Sequence, residues 1–301
     1  MTFAKFIYNY EYIKLNGFLR EPLTNNAMLF YGLAMAWILF SYIAGSLNFA
    51  IIISNGIYHD DIRTHGSGNA GFTNMKRTFG TKAAIAVIAG DLLKTILSVT
   101  IAMLLFGADI ATLAGLACIF GHCFPLFYKF KGGKGVAALA AMVLVLDPIV
   151  FLVLFAVFAI VVIGTKYLSM GSIMAMLLYP LFHNRIYTFI HYDVLPGYFV
   201  EHGLFTKIET INGALTDVPD IQYTLYHTPS AVMVCVAVFL ALFGVIMHRT
   251  NIRRILNGTE NRFYISKKQK AKHEAALHKT APVSRHRLDE LDEELNESER
   301  D

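Results

Sequence analysis

Seven stretches of this 301-residue chain, at 29–53, 83–106, 110–127, 136–147, 149–165, 168–183 and 230–247, are almost wholly apolar. A run of about 18 or more apolar residues reads as a helix that crosses a bilayer. Only 16% of the residues are charged, where a soluble domain carries about a quarter. The expected fold is therefore an all-α polytopic membrane protein with about seven transmembrane helices. The fourth stretch is cut short by Asp147-Pro148. It is expected to be tilted, re-entrant or broken, which is tolerable where protein surrounds the exposed backbone.

Lysine and arginine set the orientation, because short cytoplasmic loops carry the excess. With seven spans and the C-terminus inside, 20 of the 26 Lys and Arg residues fall on the cytoplasmic side and 5 outside. The N-terminus is thus expected outside and the C-terminus in the cytoplasm. Residues 1–28 mix aromatics with charges and read as an interfacial extension rather than a cleaved signal peptide. Residues 29–262 form the membrane domain, and the loop 184–229 is an insertion on the outer face. Residues 263–301 are a charged cytoplasmic tail, expected to be disordered. Cys118, Cys123 and Cys235 all lie in apolar blocks, as buried free thiols do.

In this topology every glycine-rich polar segment falls on the cytoplasmic side. The first runs from Asp61 to Asn74 and continues to Lys76 and Arg77. Its glycines allow close backbone approach to a ligand, and successive N–H groups can form an anion-binding nest. Ser67, Asn69 and Asn74 add neutral polar groups, and Arg63 and Arg77 add charge. Gly66-x-Gly68-x-x-Gly71 matches a dinucleotide fingerprint by letters, but it lies between membrane helices rather than in a βαβ unit. The second segment, Gly121 to Gly135, contains His122 and ends in Lys131-Gly132-Gly133-Lys134-Gly135. Two ammonium groups on glycine-rich backbone suit a phosphate, although the pattern is not a Walker A loop. The third, His248-Arg-Thr-Asn251, places His248 and Asn251 three residues apart, on one face of a helix. Asp91 and Lys94, also three apart, read as an ion pair inside a span. Ser169 and Ser172 are either helix caps or further site hydroxyls.

Together these segments resemble the three motifs of the bacterial acyl-phosphate-dependent glycerol-3-phosphate acyltransferases. The resemblance rests on Gly66-Ser-Gly-Asn-x-Gly-x-Thr-Asn74, on Gly121-His-x-x-Pro125 leading to Phe130-Lys-Gly-Gly-Lys-Gly-Val136, and on His248-x-x-Asn-Ile252 with Arg254-x-x-x-Gly258. It extends from about residue 42 to residue 263. It departs from the family at Phe72, where alanine is usual, and in the long 184–229 loop and extended termini. The resemblance implies acyl transfer from acyl phosphate to glycerol 3-phosphate, giving lysophosphatidate, at the plasma membrane with the site facing the cytoplasm. It implies catalytic roles for Ser67, Lys134, His248 and Asn251. It also implies binding roles for Arg77 and Ser172, and the chemistry of the loops themselves adds Arg63, Asn69, Asn74, His122, Lys131, Gly132, Gly133 and Gly135 as expected phosphate or substrate contacts.

No cofactor, metal or nucleic-acid partner is expected. The partners are the two substrates, membrane lipid and an enzyme that supplies acyl phosphate. The proton acceptor stays open among His122, His248 and a substrate phosphate oxygen, with His248 favoured as an orienting group. A thioester-using acyltransferase of the His-x-x-x-x-Asp type is disfavoured, since none of the 11 histidines has Asp five positions later. A transporter of a phosphorylated solute is the alternative from another class, but transporters often show paired repeats and midplane sites.

Overall fold

The computed structural model describes residues 17–20, 22–23, 25–188 and 230–263. The parts of the N-terminal extension, outer loop and C-terminal tail outside these ranges lie beyond the described residues. Among the described residues every regular element is helical, and each of the seven apolar stretches is largely helical.

The first stretch is not one helix. α1 (Ala27–Gly45) stops and α2 (Phe49–Tyr58) restarts after a short break. Ser46 turns its hydroxyl back onto the Tyr42 carbonyl at 2.9 Å, and Asn48 caps α2 by accepting from the Ile51 N–H at 3.2 Å. Small polar residues thus satisfy the interrupted backbone internally, which lets a break survive in an apolar segment. A 3-10 turn (Ile62–Thr64) and α3 (Phe72–Thr78) form the first polar loop. α4 (Thr81–Phe106) and α5 (Ala108–Cys123) follow, joined through Gly107, which has a φ of 86°. A 3-10 turn (Leu126–Tyr128) and α6 (Val136–Leu146) bound the second glycine-rich segment. Asp147 ends α6, and its side chain caps α7 (Pro148–Thr165), with Pro148 in the first turn where its missing N–H costs nothing. α8 (Leu168–Thr188), α9 (Ala231–Met247) and α10 (Arg249–Leu256) complete the described chain.

Among the described residues, length and hydropathy allow four stretches to cross a bilayer: 27–58, 81–106, 108–128 and 148–165. α9 and α10, bent by 55° between them, make a fifth if counted as one span, whereas α6 and residues 168–183 are shorter apolar helices. α1 packs on α5 at backbone contact. A Cβ on Gly45 would overlap the Cys118 carbonyl, and one on Gly121 would overlap that of Tyr42. Small residues at such a crossing let two membrane helices approach closely. The main core joins α4, α5, α6, α8 and α9 through Val99, Met103, Ile119, Met142, Tyr179 and Leu240. Residues 18 and 19 donate backbone N–H groups to the Leu104 and Leu105 carbonyls at 2.7 and 2.9 Å, capping the end of α4. Cys118 and Cys123 are buried free thiols, but Cys235 is exposed on α9, against expectation. That helix packs through the face carrying Val236, Ala237 and Leu240, which leaves Cys235 outside the contact.

Candidate active site

The first polar loop is held in shape by the side chain of Asn74, on α3. Its amide nitrogen donates to the carbonyls of Ile62 at 3.0 Å and His65 at 2.9 Å, and its oxygen accepts from the Ser67 N–H at 3.1 Å. Gly66 turns there with a φ of 54°, and a Cβ would overlap the Asn74 oxygen. Asn74 therefore shapes the loop, leaving Ser67 exposed at its tip and Asn69 half-buried. Arg63 is likewise occupied. Asp61 pairs with it at 2.7 Å, and Nη1 donates to the carbonyls of Tyr128 at 2.9 Å and Lys131 at 3.4 Å. The hydrogen bond between them raises the Arg63 pKa and holds Asp61 below the usual carboxylate range. Arg63 thus stitches the first loop to the second.

The second loop lies on the last turn of α5. The Gly133 N–H donates to the His122 carbonyl at 3.1 Å and the Gly132 N–H to that of Cys123 at 3.1 Å. Gly133 has no room for a side chain: a Cβ would overlap His122 Nε2 and lie 2.8 Å from the Ala70 carbonyl of the first loop. Gly135 has a φ of 78° and starts α6 without any side-chain cap. The first amides of α6 are then free to face an anion at the positive end of the helix. His122 is buried, with Nδ1 turned away from the loop toward Asp91 and Lys94. Lys131 is exposed.

The third segment meets the second through Lys134, whose ammonium donates to Asn251 Oδ1. Asn251 Nδ2 in turn donates to Glu260 Oε1 at 2.6 Å. Ser169 Oγ donates to the same oxygen at 2.7 Å, and Arg254 Nε donates to Glu260 Oε2 at 2.7 Å. Gly258, with a φ of 68°, lets the chain turn back after α10 so that Glu260 can reach this cluster. Ser172, one turn beyond Ser169 on α8, is buried and donates to the Leu168 carbonyl at 2.9 Å. Arg77, exposed on α3, lies within the field of Glu260 and Arg254.

These positions fix the charges. Burial pushes the Lys134 pKa down to about 8, aided by the Arg254 and Arg77 guanidiniums, while Glu260 pulls the other way. His248 is pushed down to about 4 by burial and by the Lys134 ammonium, against the Gly244 carbonyl and Glu260. Its Nδ1 lies 2.8 Å from that carbonyl. A carbonyl only accepts, so the proton is on Nδ1 and Nε2 carries the lone pair. Burial opposes ionisation of Glu260, but hydrogen bonds from Arg254, Ser169 and Asn251 outweigh it and keep the carboxyl below its usual range.

The cluster of Lys134, Asn251, His248 and Arg77 unites residues from all three segments. Glu260, which organises it, was not among the expected site residues. Its signal in the sequence was an acidic side chain just after a turn glycine, close behind three arginines.

The family model described as glycerol-3-phosphate acyltransferase matches residues 35–258. The chain belongs to the glycerol-3-phosphate acyltransferase family. A relative from Geobacillus kaustophilus, "Glycerol-3-phosphate acyltransferase", is 34% identical over 74% of this chain and 92% of its own length. "Glycerol-3-phosphate acyltransferase 2" of Bacillus anthracis is 33% identical over 75% of this chain and 96% of its own length. Among solved structures, PlsY, an integral membrane glycerol 3-phosphate acyltransferase, superposes in its glycerol 3-phosphate form with a TM-score of 0.59. It is 29% identical, over 77% of this chain and 96% of that one. Its lysophosphatidic acid form gives 0.57 at 28% identity, over 77% of this chain and 95% of that one. As a glycerol-3-phosphate acyltransferase family member, the chain is a multi-pass membrane acyltransferase. The matched region contains all three polar segments and ends just before Glu260.

Proposed function

We propose that this acyltransferase moves a fatty acyl group from acyl phosphate to the 1-hydroxyl of sn-glycerol 3-phosphate. The products are 1-acyl-glycerol 3-phosphate (lysophosphatidate) and phosphate, the first step of phospholipid synthesis. The site faces the cytoplasm from a bacterial plasma membrane, and the donor's chain enters laterally from the lipid. The observation that carries this reading is Lys134 bound to Asn251, beside a neutral His248 and the uncapped amino end of α6. That is an anion site built from the second and third motifs, with Arg77 at the end of the first in its electrostatic field.

In this scheme Lys134, Arg77 and the amides after Gly135 hold the phosphates and offset their repulsion. Ser67, Asn69 and Ser172 supply neutral contacts, while Gly132 and Gly133 let the second loop pack against the end of α5 and so position Lys134. The glycerol hydroxyl oxygen bonds to the acyl carbonyl carbon. The carbon–oxygen bond to phosphate then breaks, and phosphate leaves with the electron pair. Acyl phosphate is already activated, so positioning carries much of the rate, on the order of 7–11 kcal/mol in the best cases. A histidine whose conjugate acid has a pKa of about 4 is a poor proton acceptor at neutral pH. His248 Nε2 therefore orients the hydroxyl by accepting its hydrogen bond, and the proton passes to a phosphate oxygen of the substrate.

The test is an assay of purified protein in detergent, supplied with acyl phosphate and glycerol 3-phosphate, following released phosphate and lysophosphatidate. The expected product requires both substrates and is lost in folded Lys134→Ala protein. Turnover with an acyl thioester alone would overturn the donor. No acyl product with any donor, but uptake of glycerol 3-phosphate into vesicles, would overturn the reaction.

A further inference from the structure

Lys94 is buried within α4, where an ammonium group is costly. Four neighbours offset that cost. Asp91 Oδ1 lies 2.9 Å from Nζ as an ion pair. The ammonium's directed hydrogen bonds go to the carbonyls of Gly45 at 2.9 Å and Leu47 at 2.8 Å, at the broken end of α1. The fourth neighbour is His122, whose Nδ1 lies 3.3 Å from Lys94 Nζ and 3.4 Å from Asp91 Oδ1. The pair engages this nitrogen in either tautomer, as donor or acceptor, so the ring is held in place.

The far side of the same ring matters more. Nε2 lies against Gly133 so closely that a Cβ there would overlap it, and the Gly133 N–H is bonded to the His122 carbonyl. The next residue is Lys134. A charge pair inside the bundle is thus one imidazole and one peptide away from the ammonium that reaches Asn251.

We propose that Lys94 is a positioning residue for acyl transfer: with Asp91 it fixes His122, and His122 sets the Gly132–Gly133 step that aims Lys134. This role rests on the reaction proposed above, but it extends the site to a pair that touches no substrate. A merely architectural ion pair would affect folding stability alone.

The test is a double-mutant cycle of Lys94→Met and His122→Leu on purified protein. It is read both as kcat/KM for glycerol 3-phosphate and as the Kd of glycerol 3-phosphate by calorimetry. Each single variant is expected to weaken both quantities about tenfold, and the double variant no more than the worse single. If the two losses multiply to about a hundredfold, the residues act independently and the proposal is overturned. It is overturned equally if Lys94→Met lowers the melting temperature and leaves Kd unchanged. Should Lys94→Met fail to fold, Asp91→Asn takes its place in the cycle with the same expectations. Wild-type protein that binds glycerol 3-phosphate with this coupling but acylates nothing would remove the reaction and leave the positioning role standing.

Discussion

Replacing Glu260 by glutamine separates the shape of the site from its charge. The native carboxylate accepts Asn251 and Ser169 at one oxygen and Arg254 at the other. In glutamine one of those oxygens becomes a donor facing a donor, and a charge-assisted hydrogen bond is worth about 1.5–3 kcal/mol. A lower melting temperature is expected for that reason alone. The larger consequence falls on Lys134, whose pKa of about 8 is depressed by burial and held up by Glu260. The lysine is cationic below its pKa and is discharged as pH rises through it. With a pKa of about 8, roughly nine-tenths of the free enzyme carries the charge at pH 7. If loss of the carboxylate lowers that pKa by about one unit, close to half does. The profile of kcat/KM reports the free enzyme, so its alkaline limb should fall near pH 8 in the wild type and move to lower pH in Glu260→Gln. From titration alone kcat/KM drops about twofold at pH 7 and about eightfold at pH 8.5. Stability responds to the same group with the opposite sign. Between about 8 and 10.5 the unfolded lysine binds more protons than the folded one, so its contribution to stability grows with pH while activity falls. The assay is a pH series of kcat/KM with melting temperatures in the same detergent, alongside Lys134→Arg, whose guanidinium does not titrate in this range. An alkaline limb that stays put in folded Glu260→Gln, or persists near pH 8 in Lys134→Arg, would refute this account.

Gly133→Ala should abolish most of the turnover, because its Cβ has no space between His122 and the Ala70 carbonyl; initial rates on protein with a normal elution profile would check it. Gly121→Ala should cost about 1–3 kcal/mol by forcing α1 away from α5, seen as a lower melting temperature. Asn74→Ala removes the bonds that tie the Ile62 and His65 carbonyls to α3 and takes the side-chain acceptor away from the Ser67 N–H. It should raise the KM for glycerol 3-phosphate more than it lowers kcat. His248→Gln should reduce the rate yet leave the shape of the pH profile between about 5.5 and 7.5 unaltered, since a group titrating near 4 has no step there.

The helical elements were legible because hydropathy reports burial in lipid directly, and each stretch from 83–106 onward matches a helix to within a few residues. The break at residues 46–48 was not, because Ser46 and Asn48 satisfy the backbone from within an otherwise apolar run. The candidate site was legible as three phosphate-friendly segments, but the contacts inside them were not. Arg63 and Asn74 look like ligand-binding groups in the sequence, yet Arg63 is held by the Asp61 carboxylate and loop carbonyls, and Asn74 bonds the backbone of its own loop. Such side-chain-to-backbone bonds depend on which loops meet, and residue spacing carries no record of that. Glu260 escaped for the same reason, since its partners come from α8 and α10.

α6 has 11 residues, which makes it ~16 Å long, against a hydrocarbon layer about 30 Å thick. Left facing lipid, such a helix would force the bilayer to thin around it. It is instead enclosed by α4, α5 and α7, with Ala138, Leu139, Ala141, Met142, Val143 and Leu146 buried. Protein rather than lipid then sets the level at which its amino end sits. The depth of Lys134 is thereby uncoupled from hydrophobic mismatch, so a change in acyl-chain length of the surrounding membrane alters what the outer helices feel without moving the candidate site.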